Sequence, residues 1–447
     1  MNQSNYPKVL FIAYHFPPIY NGGAQRPLKF ARNLSHYHYQ PFVLTTKLFG
    51  KTAKPFTFPV LRAGELLGFL KRVKQGRAKD YCEDQNRKAA SISGEKKEIR
   101  GVKKIIQKIK SFILFPDSQV LWIPLAIWKG FWAIRKHKIK VIFSTYPPVS
   151  SHLVGYFLKR LTGKPWVADF RDGWGSDPLQ LNPYWGKGQK KRWLRWEERV
   201  LRSCDRIVIV TPTLREELRK RYSFLTSQKI ILITNGFDRK DFQVSFVKPE
   251  KYRKQLLITH TGSFGMSREG ITPKPFLIAL SSLIKQNPGL KNQLRVKFVG
   301  ALTGEEITLI EQLGLGKVVE RIGQVSFQES IQFQLESDIL LVCDKGRSQK
   351  REDFLYTPGK IYEYLGAGKP ILAVMPEFAP AAEYILESNS GIVVRPENVK
   401  GIEQALQNFL TQFKKGALKL NQDQEKVNRF EIQSLTSKLR EVFDSLR

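Results

Sequence analysis

VLFIAYHFPPIYNGGAQRPLKFARNL, Val9 to Leu34, reads as a strand, a turn and a helix in immediate succession. Val9–Ala13 is short and apolar, as a buried strand is, while prolines and the pair Gly22, Gly23 punctuate the turn. Helical spacing begins at about Gln25. A strand that feeds a helix through a glycine turn is the opening unit of a parallel α/β sheet.

The unit recurs along the chain. Strands are predicted near Val9–Ala13, Phe42–Thr45, Val141–Ser144, Trp166–Phe170, Arg206–Thr211 and Ile230–Thr234. A second set follows near Leu257–Thr261, Arg295–Val299, Val318–Ile322, Asp338–Val342, Pro370–Val374 and Gly391–Val394. Amphipathic stretches separate them, so the two halves look architecturally alike. The chain has 447 residues, more than one hydrophobic core usually supports. The expectation is an α/β protein of two Rossmann-like parallel-sheet domains facing across a cleft, where open sheets bind ligands at the carboxyl ends of their strands. The polar stretch Asn235 to Gln255 suggests a boundary near Glu250, giving domains 1–249 and 250–423. A terminal segment 424–447 carries Leu435, Leu439 and Phe443 at helical spacing and is expected to pack across the junction.

Composition narrows the functional classes. Hydrophobic residues make up 42% and charged residues 26%, which argues for a globular protein. Lys and Arg number 74 against 40 Asp and Glu, a formal charge of +34 that calls for an anionic partner: phosphate-bearing substrates, acidic lipid or nucleic acid. Cys82, Cys204 and Cys343 are widely spaced, which speaks against a disulfide framework and a zinc site. The amino terminus MNQSNYPKVLFIAY lacks the pattern of a secretory leader, and no apolar window approaches the roughly 20 residues needed to span a bilayer. A cytoplasmic protein follows, with any membrane contact peripheral. The basic insertion at about 48–115 ends in VKKIIQKIKSFILF, with Val102, Ile105, Ile106, Ile109, Phe112 and Ile113 on one helical face and Lys103, Lys104, Lys108 and Lys110 opposite. With Trp122, Trp128 and Trp132 nearby, it suits an anionic membrane surface or, equally, an ordinary surface helix.

Three stretches carry candidate chemistry. Gly22 and Gly23 allow close backbone approach to an anion at a helix start, although the spacing is neither a P-loop nor a dinucleotide motif. In HTGSFGMSREGITPKPFLIAL, His260 to Leu280, Gly262, Gly265, Arg268 and Lys274 precede a helix, a combination suited to neutralising a leaving diphosphate without a metal. In FLYTPGKIYEYLGAGKPILAVMP, Phe354 to Pro376, Glu363 projects from a helix and suits vicinal ribose hydroxyls. Asp169 and Asp172 in the DFRD run are candidates to orient or deprotonate an acceptor hydroxyl, the alternative being a structural ion pair with Arg171. His15, His152 and His260 show no metal-ligand spacing, and no metal site is expected.

The order of these stretches resembles family-four glycosyltransferases, in the branch found in bacterial polysaccharide gene clusters. STYPPVSSHLVG at Ser144 to Gly155, PWVADFRDGW at Pro165 to Trp174, TNGFD at Thr234 to Asp238, FVG at Phe298 to Gly300 and PGKIYEYLGAGKPIL at Pro358 to Leu372 extend the resemblance over nearly the whole chain. It implies a GT-B fold, a nucleotide-sugar donor held by the second domain, an acceptor held by the first, and metal-independent transfer with retention. By position it implies that Gly22 and Gly23 approach the donor phosphates, that Arg268 and Lys274 neutralise the diphosphate and that Glu363 binds the ribose. Backbone from Gly323 to Val325 would meet the base, and Gly262, Pro358, Gly359 and Lys360 complete the donor site. One departure stands out: where many members carry a glutamate eight positions before the second, this chain has Leu355. That role then falls to Asp353 or to backbone around Thr357 to Gly359.

The expected function is transfer of a hexose-type sugar from a UDP- or GDP-linked donor, with no cofactor. The acceptor is a saccharide, lipid-linked by preference, in cell-surface polysaccharide biosynthesis on the inner face of the cytoplasmic membrane. Two other classes compete. A nucleic-acid-binding protein would use the basic charge and runs such as Lys187 to Arg195, but no recognised module is present and nucleic acid is not the expected partner. A sugar-nucleotide epimerase would use a similar two-domain fold.

Overall fold

The computed structural model describes residues 6–19, 22–50, 52, 55–66, 111–176, 185–243, 250–252, 254–264, 271–344 and 350–447. Two compact units emerge: unit 1 takes the described residues up to Asn235 together with Ile432–Arg447, and unit 2 takes Gly236–Glu431.

Unit 1 is built on a seven-stranded parallel sheet in the order β3-β2-β1-β4-β5-β6-β7. Its strands are β1 Lys8–Ile12, β2 Gln40–Thr46, β3 Val60–Ala63, β4 Val141–Tyr146, β5 Trp166–Phe170, β6 Arg206–Ile209 and β7 Ile230–Leu232. Every side chain of β4 and β5 is buried, as expected where helices cover both faces of a parallel sheet. Alternation decides which face each side chain serves. Leu10 and Ile12 join one core with Trp122, Trp166 and Trp193, whereas Val9 and Phe11 join the other with Phe30, Leu439 and Phe443. The first core lies under helices α2 (Ile123–His137), α3 (Val149–Thr162), α4 (Lys187–Ser203) and α5 (Pro212–Arg221); the second lies under α1 (Gly22–Asn33) and the final helix Ile432–Asp444.

Unit 2 has a six-stranded parallel sheet in the order β10-β9-β8-β11-β12-β13. The strands are β8 Leu256–Thr261, β9 Leu294–Val299, β10 Val319–Arg321, β11 Ile339–Cys343, β12 Ile371–Val374 and β13 Gly391–Val394. Helices α6 (Lys274–Gln286), α7 (Gly304–Gln312), α8 (Phe327–Glu336), α9 (Gly359–Ala367), α10 (Pro380–Glu387), α11 (Val399–Lys414) and α12 (Gln424–Asn428) follow in chain order, and Ile432–Asp444 in unit 1 is α13. Leu341 and Val374 point into a core with Phe276, Leu280 and Leu406; Leu340 and Ala373 point into one with Ile361, Tyr364 and Phe430. Sequence runs that are apolar for four to six residues therefore became strands buried on both faces.

The twelve expected strands are all present. One strand, β3, was not foreseen: Val60–Ala63 lies in the segment read as an insertion and pairs only with β2 at the sheet edge. The first helix also starts earlier than expected, at Gly22, so both glycines sit in its opening turn. Unit 2 begins at Gly236, fourteen residues ahead of Glu250, because Phe237 is fully buried against Gly366 of α9 and beside Phe430. A Cβ on Gly366 would lie 2.6 Å from the Phe237 ring, which explains the glycine in YLGAG. Segment 424–447 forms two helices, α12 in unit 2 and α13 in unit 1. The amphipathic face from Val102 to Ile109 and Cys82 lie outside the described residues; Phe112 and Ile113 are exposed.

Candidate active site

In unit 2 the expected donor residues gather where the strands of the sheet end. Gly262 follows β8 with φ +90° and Gly300 follows β9 with φ +149°. A Cβ on Gly300 would lie 2.5 Å from the Gly262 carbonyl oxygen, so only glycine lets these two neighbouring turns cross so closely. Lys360, in the first turn of α9, reaches the same place. Its Nζ is 2.9 Å from His260 Nε2, and a Cβ on Gly262 would stand 3.1 Å from it.

The proton positions follow from the partners. His260 Nδ1 lies 2.9 Å from the Leu341 carbonyl oxygen, which can only accept, so Nδ1 carries the proton and Nε2 receives a hydrogen bond from Lys360. Burial first, and then the Lys360 charge, hold the imidazole well below its ordinary 6.5 and so neutral. Burial also draws the Lys360 ammonium down from 10.5 to about 8, against the pull of Cys343, Glu363 and Asp344. Phe264 stacks on His260 with ring centroids 3.8 Å apart and closes the opposite side.

Glu363 stands three residues after Lys360 on the same face of α9. Its Oε2 accepts from Gln334 Nε2 at 3.1 Å, and the fully buried Gln334 also donates to Thr261 Oγ1 at 3.3 Å. The Tyr364 hydroxyl accepts from the Thr261 amide at 2.9 Å and donates to the Leu341 carbonyl at 3.3 Å. Helix α9 is thus tied to the end of β8 by two side chains, which fixes Lys360 and Glu363 over the crossing glycines. Pro358 and Gly359 open this helix, and just before them the Thr357 hydroxyl is buried without a hydrogen-bond partner among the described residues.

The other expected donor residues are on the same edge of the sheet without a described bond to this cluster. Lys274 is the first residue of α6 and is exposed. Gly323, at φ +81°, and the half-buried Val325 occupy the loop ahead of α8. Arg268 and Gly265 lie outside the described residues. Leu355 is half-buried in the loop before α9, and Asp353 is exposed in the 3-10 turn Arg351–Asp353.

In unit 1, Asp169 is completely buried and its partner is Arg26 of α1, at 2.9 Å, not the neighbouring Arg171. Thr145 Oγ1 donates to Asp169 Oδ2 at 2.7 Å. Arg26 goes on to donate to the carbonyls of Ile233 at 2.8 Å and Thr234 at 2.5 Å, joining α1, β5 and the chain leaving β7. Arg171 spends its guanidinium on backbone as well, donating to the carbonyls of Tyr146 at 3.0 Å, Pro147 at 2.7 Å and Gly23 at 2.9 Å. Asp172 is half-buried beside Arg171 and helps to hold that guanidinium charged against burial. Gly22 is exposed, and a Cβ there would meet nothing within 4 Å. His15 is half-buried at the end of β1, where burial and the Arg171 charge lower it to about 3. His152 is a core histidine, bonded to Ser144 Oγ at 2.7 Å and lowered to about 3 by burial and Arg171. Arg26, Gln334 and the His260–Lys360 contact escaped the reading of the sequence, since they join residues from 29 to 208 positions apart.

Residues 89–241 match the model for Glycosyltransferase Family 4. The chain carries a family-four glycosyltransferase domain. Solved glycosyltransferases share its architecture from end to end. Sucrose-phosphate synthase from Thermosynechococcus elongatus is 13% identical over 99% of both chains, with a TM-score of 0.61. Anabaena HepE in complex with UDP and glucose is 14% identical over 99% of this chain and 100% of its own, with a TM-score of 0.61. WaaG, a glycosyltransferase involved in lipopolysaccharide biosynthesis, is 15% identical over 98% of this chain and 99% of its own, with a TM-score of 0.57. At such identities the likeness is one of fold, and that fold is GT-B. Among curated proteins, none matches this glycosyltransferase by sequence. Among the described residues there is no helix long and apolar enough to cross a membrane and no cluster of three His, Cys, Asp or Glu able to hold a metal ion.

Proposed function

We propose that this glycosyltransferase moves a hexose from a UDP- or GDP-linked donor to a lipid-linked saccharide, without a metal and with retention of anomeric configuration. The role is in cell-surface polysaccharide biosynthesis, peripheral on the inner face of the cytoplasmic membrane. The observation that carries the reading is the cluster at the end of β8 and β9, where two crossing glycines expose backbone beside one cation and one braced carboxylate. Lys360, with Arg268 and Lys274, neutralises the departing diphosphate; Glu363, oriented by Gln334, grips the ribose; backbone from Gly323 to Val325 meets the base. The bond from the anomeric carbon to the diphosphate oxygen breaks, the acceptor oxygen bonds to that carbon on the same face, and its proton passes to the freed diphosphate oxygen. Catalysis is then positioning and charge stabilisation. Asp169 is held in an ion pair with Arg26, and Asp172, half-buried beside Arg171, orients the acceptor hydroxyl. Anabaena HepE, with the same fold, is described in complex with UDP and with UDP-glucose, which supports a nucleotide-sugar donor here.

The test is nucleoside diphosphate release from UDP-, GDP- and ADP-sugars in EDTA, comparing wild type with Glu363→Ala and Lys360→Ala. Release from one donor that both substitutions abolish is the expected result. Release that survives both, or that needs an added divalent cation, overturns the reading.

A further inference from the structure

We propose that the outer surface of the α2, α3 and α4 layer of unit 1 is a docking face for an anionic lipid surface. The proposal rests on the reading of a membrane-borne acceptor and gives that contact a place on the molecule.

The three helices cover the same face of the sheet with their inward sides, α2 against α3 and α3 against α4, so their outward sides form one continuous exterior. That exterior is unusually apolar. Trp128 and Trp132, four residues apart on α2, are 64% and 56% exposed; Phe157 and Leu161 repeat the spacing on α3. These four are among the ten large exposed apolar side chains of the described residues, gathered on two adjacent helices. Isolated exposed apolar residues are normal, but a contiguous patch that includes tryptophan marks an interaction surface. Tryptophan is also the side chain that settles at the boundary between headgroups and acyl chains.

Charge selects the occupant. Helices α2 and α3 contain no acidic residue and carry Arg135, Lys136 and Arg160 beside the aromatic residues. Helix α4 carries seven Lys and Arg, and both of its glutamates are paired, Glu197 with Arg221 and Glu198 with Arg202. An apolar stripe bordered by cations with no free acid to repel phosphate matches acidic headgroups over acyl chains. Single-stranded nucleic acid stacks on aromatic rings, but it has no use for the aliphatic Leu161 that shares the patch, which acyl chains would cover.

The experiment is co-sedimentation of the full chain with vesicles of phosphatidylglycerol mixed into phosphatidylcholine, against phosphatidylcholine alone, at low and high salt. Wild type is expected to favour the acidic vesicles and to be released by salt. Trp128→Ser with Trp132→Ser should lower partitioning by about tenfold or more. Arg135→Glu with Lys136→Glu should lower it by at least about fivefold per site, with thermal midpoint and donor-dependent diphosphate release unchanged. Quenching of tryptophan fluorescence by brominated lipid should disappear in the first variant. Equal binding of the variants, no preference for acidic vesicles, or retention by single-stranded RNA that the tryptophan substitutions abolish would each overturn the proposal. Vesicle binding that behaves as expected while no nucleotide-sugar is turned over would leave the docking face standing and remove the proposed activity.

Discussion

Substituting Asp169 by Asn separates a structural carboxylate from a reacting one. The side chain keeps its shape but loses its charge, and Arg26 is left as a buried cation facing two backbone carbonyls and the Asn235 side chain. The new amide also turns a donor toward Thr145, whose hydroxyl now donates to Oδ2. Breaking a buried ion pair by removing one partner costs about 3–5 kcal/mol, because the remaining charge is uncompensated. In a domain the size of unit 1, each kcal/mol moves the midpoint by about 2–4 °C, so a shift of roughly 6–20 °C is expected in the transition that belongs to unit 1. Differential scanning fluorimetry on Asp169→Asn, Arg26→Met and the double variant reads it out. The double variant should recover part of the loss, since both charges leave together. A midpoint within about 2 °C of wild type, combined with a fall in kcat of a thousandfold, would refute the reasoning and return Asp169 to the chemistry.

Four further outcomes follow from unit 2. Donor affinity should fall by up to tenfold per pH unit above about pH 8 as Lys360 loses its proton, and Lys360→Arg should flatten that profile, as titration calorimetry with UDP would show. In the free enzyme the folded value lies below the unfolded 10.5, so the unfolded chain holds this proton more tightly and Lys360 makes stability rise between about pH 8 and 10.5. Gly300→Ala forces a methyl against the Gly262 carbonyl at a φ that disfavours it; a loss of about 1–3 kcal/mol in unit 2 is expected, and a melt unchanged with and without UDP would contradict the crossing turns. Gln334→Leu removes the hydrogen bond that orients Glu363 while keeping bulk, so the Kd for donor should rise by about tenfold with kcat less affected.

The fold was legible because buried parallel strands write themselves as short apolar runs bounded by glycine, proline and charge. Strand β3 escaped: Val60–Ala63 is only four residues long, half-buried, with Arg62 in it and Pro59 before it, so neither alternation nor an apolar run marks it. In the site, Glu363 and Lys360 were visible because they share a helix turn with a glycine motif. Their supports were not, since Gln334 reaches Glu363 from α8 and His260 meets Lys360 from β8. Asp169 illustrates the same limit. Local spacing offered Arg171 as its partner, yet two residues apart on a chain says little about charge pairing when the sheet delivers Arg26 from 143 positions away. Distances in space between residues distant in sequence are set by packing, and single-sequence pattern does not encode them.

The helix α13 has a consequence for how the molecule is made. Leu435, Leu439 and Phe443 fill the face of the first sheet beneath Phe11 and Phe143, yet they are synthesised after all of unit 2. Domains generally mature in order as they leave the ribosome. Here the body that begins first cannot be completed first: its apolar face beside β1 and β4 stays open while some two hundred intervening residues emerge, whereas the described residues of unit 2 run from Gly236 to Glu431 and can close as soon as they emerge. The nascent chain therefore presents, for a defined interval, the same hydrophobic surface that the finished protein hides, and its dependence on chaperones should be concentrated in that interval.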